Sequence, residues 1–369
     1  MIHPVQIPPI IIGNNALYGP GLLFHPGQLA NGHLNVTGSS GMGKSSIVRH
    51  VAHNLHRSMV PLVILDFHDD LAIPALRTMR LGDGSAGECS IRFLEPTPLA
   101  LKTFGLRGCL ENAVSAIEEM GRRKLGEGQA NSLRSTILEL WRRMGVKEFD
   151  VDCSTCETNS IRPSDLLELL LEKKEEAETS REKQIFDGLI NRVDVLATCA
   201  IFEHEIPLRM GDILQGGARL HMQGIPAPMR GPVARTLVSM MFAEITAMGP
   251  IERCPLDVGA TFRVYFVIDE AGSVIRKKAD DCVIKTIAKE SRKFGVGLIL
   301  AAQTLDELSE EVVANADTHI ALPTKSLKDA RKVEQKLNLR RGDLNLGAGR
   351  WSGYYQSGFQ LFRANFYHL

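Results

Sequence analysis

The chain has 369 residues, 43 basic and 43 acidic side chains, and an apolar content of 44%. This length can bury one large core or two modest ones. The balanced charge excludes a strongly cationic nucleic-acid coat, although it leaves room for a local basic channel. No run approaches the roughly 18 apolar residues of a membrane span, and the prolines in IPPIII argue against a signal peptide. Seven cysteines without framework spacing favour a reducing, cytoplasmic location.

The first predicted elements are a strand, a glycine-rich loop and a helix. Residues 34–37 are predicted to form a strand, and an apolar stripe at helical spacing begins at Ile47. Between them, the sequence GSSGMGKS at residues 38–45 fits the phosphate-loop pattern G-x-x-x-x-G-K-[ST]. In such a loop, backbone N–H groups surround the phosphates, and the following helix presents its positive N-terminal end. The sequence therefore predicts a nucleoside triphosphate site.

Two side chains of this loop have specific expected tasks. Lys44 is expected to reach the β- and γ-phosphates, and the hydroxyl of Ser45 to ligate Mg²⁺. ATP and Mg²⁺ are therefore the predicted cofactors. The residues predicted to bind the nucleotide are Gly38, Ser39, Ser40, Gly41, Met42, Gly43, Lys44, Ser45 and Ser46.

The following elements alternate between strand and helix patterns. Residues 63–65 are a short apolar run typical of a buried parallel strand, and the run ends in Asp66. From about residue 108 to 205, apolar residues recur at helical spacing. Strand patterns then return in RVYFVIDE, VGLILAAQ, THIAL and FQLFRANFY. These patterns predict an α/β fold, a RecA-like P-loop NTPase core with a mostly parallel sheet and a helical insertion.

The predicted organisation of the chain has four parts. They are an N-terminal segment at 1–30, a first part of the ATPase core at 31–107, the helical insertion at 108–215, and a second part of the core at 216–369. Within the insertion, Cys153 and Cys156 form a C-x-x-C pair. A zinc site needs four ligands and no second pair has suitable spacing, so two free thiols are favoured, and metal binding stays open.

A second chemical motif follows the strand pattern VYFVI. Asp269, at the end of the strand, is predicted to hold Mg²⁺, and Glu270 is predicted to take a proton from the attacking water. A glutamate at this position favours hydrolysis over a nucleotide switch, so the chain is predicted to be an ATPase. Gln303 ends the strand pattern VGLILAAQ and is expected to contact the γ-phosphate, with an exposed strand end as the alternative.

Four segments together resemble the HerA/FtsK superfamily of ring-forming ATPases, which includes conjugative and type IV secretion motors. They are GHLNVTGSSGMGKSS, VILDFHDD, VYFVIDEAG and AKESRKFGVGLILAAQTLDELSEEVVANADTHIAL. The last is the most specific, because R-K-F-G precedes a strand ending in glutamine, and an Asn-x-x-T segment follows at 315–318. The resemblance covers about residues 25–110 and 215–325. The helical middle matches in placement only.

The resemblance implies a homohexamer that couples ATP hydrolysis to translocation. Members of the superfamily thread DNA, usually duplex, or act in protein secretion. The resemblance also implies that the arginine of R-K-F-G, Arg292, reaches the nucleotide of the neighbouring subunit as an arginine finger, which can raise rates by several powers of ten. Other cations stay open for that role, namely Lys293, Arg331, Arg340, Arg341, Arg350 and Arg363.

The chain departs from the superfamily pattern in three respects. Neither the N-terminal barrel of HerA nor the membrane helices of FtsK are expected, so the partner, a nuclease or a secretion or anchoring protein, stays open. His68-Asp69 stands where His-Gly is usual, and no Arg-Pro follows Gln303. The last two departures barely affect the ATPase assignment.

Two basic clusters are candidates for loops that contact the translocated substrate. Arg276, Lys277 and Lys278 follow Glu270 closely and are expected to meet DNA phosphates without reading base sequence. Residues 122–124 form the second cluster. A solvated surface patch is the alternative for both.

The sequence thus predicts a cytoplasmic, Mg²⁺-dependent, hexameric ATPase that translocates double-stranded DNA. One alternative is a type IV secretion or conjugation ATPase that energises protein or nucleoprotein transfer. The other is a nucleotide-binding assembly protein that does not hydrolyse, against which Glu270 argues.

Overall fold

A computed structural model describes most of the chain. The described residues are 3–17, 19, 21–29, 31–82, 89–121, 124–146, 160–251, 261–275, 282–344 and 349–368. The chain divides into two compact units. The first unit comprises Met1–Met79, Gly211–Gln223 and Gly249–Leu369, and the second comprises Arg80–Met210 and Gly224–Met248.

The secondary structure alternates between strands and helices in both halves of the chain. The strands are β1 (Val5–Gln6), β2 (Ile10–Asn15), β3 (Gly21–Phe24), β4 (Leu34–Thr37), β5 (Leu62–Asp66), β6 (Thr78–Arg80), β7 (Ala218–His221), β8 (Thr261–Phe262), β9 (Val264–Ile268), β10 (Val296–Ala302), β11 (Thr318–Ala321), β12 (Ser352–Ser357) and β13 (Gln360–Phe366). The helices are α1 (Lys44–Arg57), α2 (Pro98–Met120), α3 (Glu127–Arg143), α4 (Pro163–Glu176), α5 (Ser180–Ala197), α6 (Ala200–Glu203), α7 (Met210–Gly216), α8 (Ala227–Ala247), α9 (Ala271–Val274), α10 (Val283–Phe294), α11 (Glu310–Ala314) and α12 (Leu327–Lys336).

The first unit is built on a sheet whose described strands run in the order β3-β2-β13-β12-β11-β4-β10-β9-β5-β7-β6. The stretch from β11 to β7 is parallel throughout. Every residue of β4, β5, β9 and β10 is buried, which explains their continuous apolar runs. The predicted α/β fold with a mostly parallel sheet is confirmed.

The N-terminal segment enters the core of this unit, which the sequence interpretation did not anticipate. Strands β2, β3, β12 and β13 extend the sheet beyond β11 with antiparallel pairing. In β2, Ile10 and Ile12 are buried while Ile11 is half exposed, and in β3 Phe24 is fully buried. This alternation is typical of a sheet with one packed face and one open face. The buried residues of β2 and β3, namely Ile10, Ile12, Leu22 and Phe24, are therefore part of the hydrophobic core.

The second unit is mainly helical, comprising α2 to α6 and α8. Its bounds differ from those of the predicted insertion at 108–215, because the unit also includes residues 80–107 and α8 and does not include residues 211–215. Helix α8 carries buried residues on all sides and packs against α2, where Arg235 Nε donates to Glu119 Oε2 at 2.9 Å. A helix without a polar stripe is typical of a position buried within a protein core. Cys153 and Cys156 lie outside the described residues.

The core role of the N-terminal strands can be tested with two adjacent isoleucines. Ile12→Ala removes a fully buried side chain and should lower the free energy of unfolding by about 2–5 kcal/mol. Ile11→Ala changes the open face of the same strand and should cost well under about 1 kcal/mol. Urea unfolding of both variants gives the comparison. Equal losses would mean that β2 does not pack as described.

Candidate nucleotide site

A cavity of about 400 Å³ lies in the first unit at the carboxyl ends of the parallel strands. Its lining comes from the loop after β4, the start of α1, and the residues that directly follow β5, β9 and β10. Ligand sites of open α/β sheets occupy this edge. The lining residues are Ser40, Gly41, Gly43, Lys44, Ser45, Ser46, Arg49, His68, Asp70, Asp269, Glu270, Gln303 and Arg350.

The phosphate loop is held against the residues that follow β11. Gly38 has φ +153°, and a Cβ there would lie 2.7 Å from Leu322 Cβ, so only glycine fits. The backbone N–H of Ser39 donates to Pro323 O at 3.1 Å, and Lys325 N donates to Ser39 Oγ at 2.8 Å. These contacts fix the loop before α1 begins at Lys44.

Lys44 turns its side chain back over this loop. Its Nζ donates to Gly38 O at 2.7 Å and to Ser39 O at 3.2 Å. Burial lowers the pKa of the Lys44 ammonium, and the carboxylates of Glu307 and Asp269 oppose that shift. The ammonium is therefore held by weak neutral acceptors, and phosphate oxygens would bind it more strongly.

Three carboxylates gather beside the loop. The oxygens of Asp66, Asp70 and Asp269 lie within 4.8 Å of one another. Burial, together with the charge of Asp66, raises the pKa of Asp269 to about 7. A divalent cation would relieve this repulsion, and carboxylate and hydroxyl oxygens are the ligands that Mg²⁺ prefers. The donor set thus fits Mg²⁺.

Of the three acids in this cluster, Asp66 has a structural role. Asp66 is fully buried and accepts hydrogen bonds from Asp69 N at 2.8 Å, Leu71 N at 3.0 Å and Arg219 Nε at 2.7 Å. Its acceptor capacity is largely used, so it orders the loop after β5. The predicted ligands Ser45 and Asp269 both line the cavity, together with Asp70, which the sequence interpretation missed. The acidic run HDD after a strand was the available signal.

Glu270 makes a contact that the sequence interpretation did not anticipate. Its Oε2 lies 2.9 Å from Nε2 of His68. The sequence marked His68 only as a departure from a family pattern. In the structure, this histidine links the segment after β5 to the segment after β9 and orients the carboxylate of Glu270.

Gln303 lines the cavity and directly follows β10. Its backbone N–H donates to Glu307 Oε2 at 2.8 Å, which fixes the turn where the side chain begins. Glu307 is also the carboxylate with the larger opposing effect on the pKa of Lys44. This glutamate was missed because its role depends on the turn after β10.

The cationic residues fall into three groups. Arg292 lies exposed in the last turn of α10 and is absent from the cavity lining described above. Arg350 lines the cavity of its own chain. The other candidates for the arginine finger are described and are also absent from that lining, namely Lys293, Arg331, Arg340, Arg341 and Arg363. Of the two predicted basic clusters, only Lys124 is described, and Arg122, Arg123, Arg276, Lys277 and Lys278 lie outside the described residues.

A family model described as Helicase HerA, central domain, matches residues 22–206. The chain belongs to this family. A curated relative, the DNA double-strand break repair helicase HerA of Sulfolobus acidocaldarius, is 22% identical over 308 residues. The match covers 82% of this chain and 57% of the relative, so the chain spans little more than half the length of that HerA protein.

Solved structures similar to this HerA family member share its fold. VirB4 of Thermoanaerobacter pseudethanolicus has a TM-score of 0.75 and 15% identity, over 98% of this chain and 96% of that chain. The bacterial conjugative coupling protein TrwB has a TM-score of 0.63 and 14% identity, over 91% of this chain and 84% of that chain. TrwB in complex with ADP and Mg²⁺ has a TM-score of 0.60 and 14% identity, over 88% of this chain and 82% of that chain. Every helix within the described residues is too short or too polar to cross a membrane.

Two substitutions should separate nucleotide binding from hydrolysis. Glu270→Gln keeps the size of the side chain and leaves the loop intact, so nucleotide affinity should persist while turnover falls by roughly 10²-fold or more. Lys44→Ala removes the ammonium and should weaken binding itself. Calorimetric titration with ATP and a phosphate-release assay give the two values. If Glu270→Gln hydrolyses ATP at the parental rate, another group takes the proton.

Proposed function

We propose that this HerA family member is an ATP-hydrolysing hexameric motor that moves double-stranded DNA. The observation that carries the proposal is the placement of Lys44, Asp269 and Glu270 around one cavity beside a phosphate loop. The name of the curated relative, a DNA repair helicase, favours DNA as the substrate. A partner nuclease or anchoring protein belongs to the same proposal.

The proposed hydrolysis uses positioning and charge. The N–H groups of the loop and the Lys44 ammonium bind the phosphates, with the N-terminus of α1 behind them. Ser45 and Asp269 would hold Mg²⁺, which would supply positive charge to neutralise the phosphate oxygens. Glu270, oriented by His68, accepts a proton from the attacking water. The water oxygen bonds to the γ-phosphorus, and the bond between the γ-phosphorus and the leaving oxygen of ADP breaks. Gln303 then contacts the released phosphate.

A second candidate function is energising protein or nucleoprotein transfer in type IV secretion. The match to VirB4 covers nearly the whole of both chains and favours it. At 15% identity, however, that likeness shows the fold alone. The two functions differ in whether nucleic acid alone stimulates the ATPase, which makes stimulation the deciding measurement.

Duplex DNA should stimulate ATP turnover, and the stimulation should weaken as salt rises because phosphate contacts release counterions. Changing Arg276, Lys277 and Lys278 together to Ala should reduce stimulation and leave basal turnover intact. Turnover is measured without DNA, with duplex and with single strand, at two salt concentrations. Equal rates under all conditions would favour the secretion function.

The proposed ring predicts a composite site that joins Lys44 of one chain to Arg292 of the next. Arg292→Ala and Lys44→Ala should each be nearly inactive alone. Mixed rings should regain part of the activity, because some interfaces combine an intact loop with an intact finger. Co-purification of differently tagged chains shows that mixed rings form.

As a control, wild-type subunits are mixed with each mutant and ATP turnover is measured. This control shows whether one inactive site stops hydrolysis at all the other sites of the ring. Full ATP turnover by Arg292→Ala, with or without DNA, would contradict the finger assignment.

A further inference from the structure

The last strand pair brings a tryptophan against the phosphate loop. Trp351 precedes β12 directly, and its backbone N–H donates to Met42 O at 3.3 Å. Phe366 N, in β13, donates to Trp351 O at 2.8 Å. The loop between β4 and α1 is therefore tied to a strand pair at the far end of the sequence.

The indole fits closely against Gly43. This glycine has φ +101°, and a Cβ on it would lie 2.2 Å from Trp351 Cδ1. Trp351 itself has φ +63°, a conformation that non-glycine residues adopt at some cost. Such strain persists only where surrounding contacts enforce it. Here the backbone N–H of Trp351 is hydrogen-bonded to Met42, and its backbone C=O is hydrogen-bonded to Phe366.

Two further side chains stack on this indole. The ring of His368 lies parallel to it at a centroid distance of 3.7 Å. The guanidinium carbon of Arg350 lies 4.6 Å from the centroid of the indole. Stacking on an aromatic ring restricts the guanidinium without using its N–H donors.

Arg350 brings its charge into the nucleotide cavity. It lines the same cavity as Lys44 and Ser45. Among the described residues, no carboxylate pairs with Arg350, whereas Arg219 and Arg235 each have one. A guanidinium stays charged at all working pH values and suits phosphate oxygens. A nucleotide phosphate bound at the loop would supply the anionic partner that Arg350 lacks among the described residues.

We propose that Arg350 binds phosphate oxygens of the nucleotide held by its own chain. Trp351 supplies the surface on which the guanidinium rests. Arg350 therefore acts in cis, whereas the arginine from the neighbouring chain is Arg292. This proposal rests on the proposed function only in taking the ligand to be a nucleoside triphosphate.

The test compares Arg350→Gln with Arg350→Lys in calorimetric titrations with a non-hydrolysable ATP analogue and Mg²⁺. Arg350→Gln should bind about 10- to 100-fold more weakly than the parent, because it loses a charged hydrogen bond. Arg350→Lys keeps the charge and should bind more tightly than Arg350→Gln. Arg181→Ala, at an exposed position in the first turn of α5, removes an arginine elsewhere and should bind like the parent. Parental affinity in Arg350→Gln, or equal affinity of the Lys and Gln variants, would overturn the proposal.

Co-expression with an excess of Lys44→Ala chains separates cis from trans action. The Lys44→Ala chain keeps Arg350 and binds nucleotide weakly itself. Arg350→Gln should stay weak in such mixtures, and recovery of tight binding would show that a neighbour supplies the arginine. If the parent binds the analogue but never hydrolyses ATP, the proposed function fails and this test still stands. If the parent hydrolyses ATP and Arg350→Gln binds normally, only the Arg350 proposal fails.

Discussion

The site depends on one constraint, the parallel register of the central strands. Thr37 pairs with Ala302 on one side and with Ala321 on the other. Ile268 pairs with Leu300 and with Leu65. The strands therefore end at nearly the same level, and the residues that follow them share one edge of the sheet. Parallel pairing is what allows segments far apart in sequence to form one cavity.

Electrostatics then divides that edge into a cationic and an anionic side. Lys44 stands over the loop, and the acids after β5 and β9 stand beside it. Asp66 is not free to bind a metal ion, because its carboxylate oxygens already accept hydrogen bonds from Arg219 and from backbone N–H groups. The burial of Asp269 itself raises the pKa of that carboxyl, and the negative charge of Asp66 adds to the effect, so the cluster favours a divalent cation over isolated negative charges. A buried structural acid thus tunes a neighbouring ligand.

Local patterns made the loop and the paired acids predictable, because each follows a short apolar strand within a few residues. The parallel sheet could also be predicted, since its strands are apolar on both faces. The contact of His68 with Glu270 could not, because 202 residues separate the two. Nor could the place of Arg350 in the cavity, since it depends on how β12 and β13 join the sheet at β11. The alternation of burial in β2 could not be predicted either, because Ile10, Ile11 and Ile12 are all apolar and only the pairing in the sheet decides which of them is buried.

The central claim is that ATP binds and reacts at this edge of the sheet. A structure of Glu270→Gln with Mg²⁺ and ATP tests it most directly. The phosphates should lie in the loop of residues 38–46, with Mg²⁺ on Ser45 and Asp269, Arg350 of the same chain on the phosphates, and Arg292 arriving from a neighbour. A nucleotide bound elsewhere, or Mg²⁺ held without Asp269, would contradict the account.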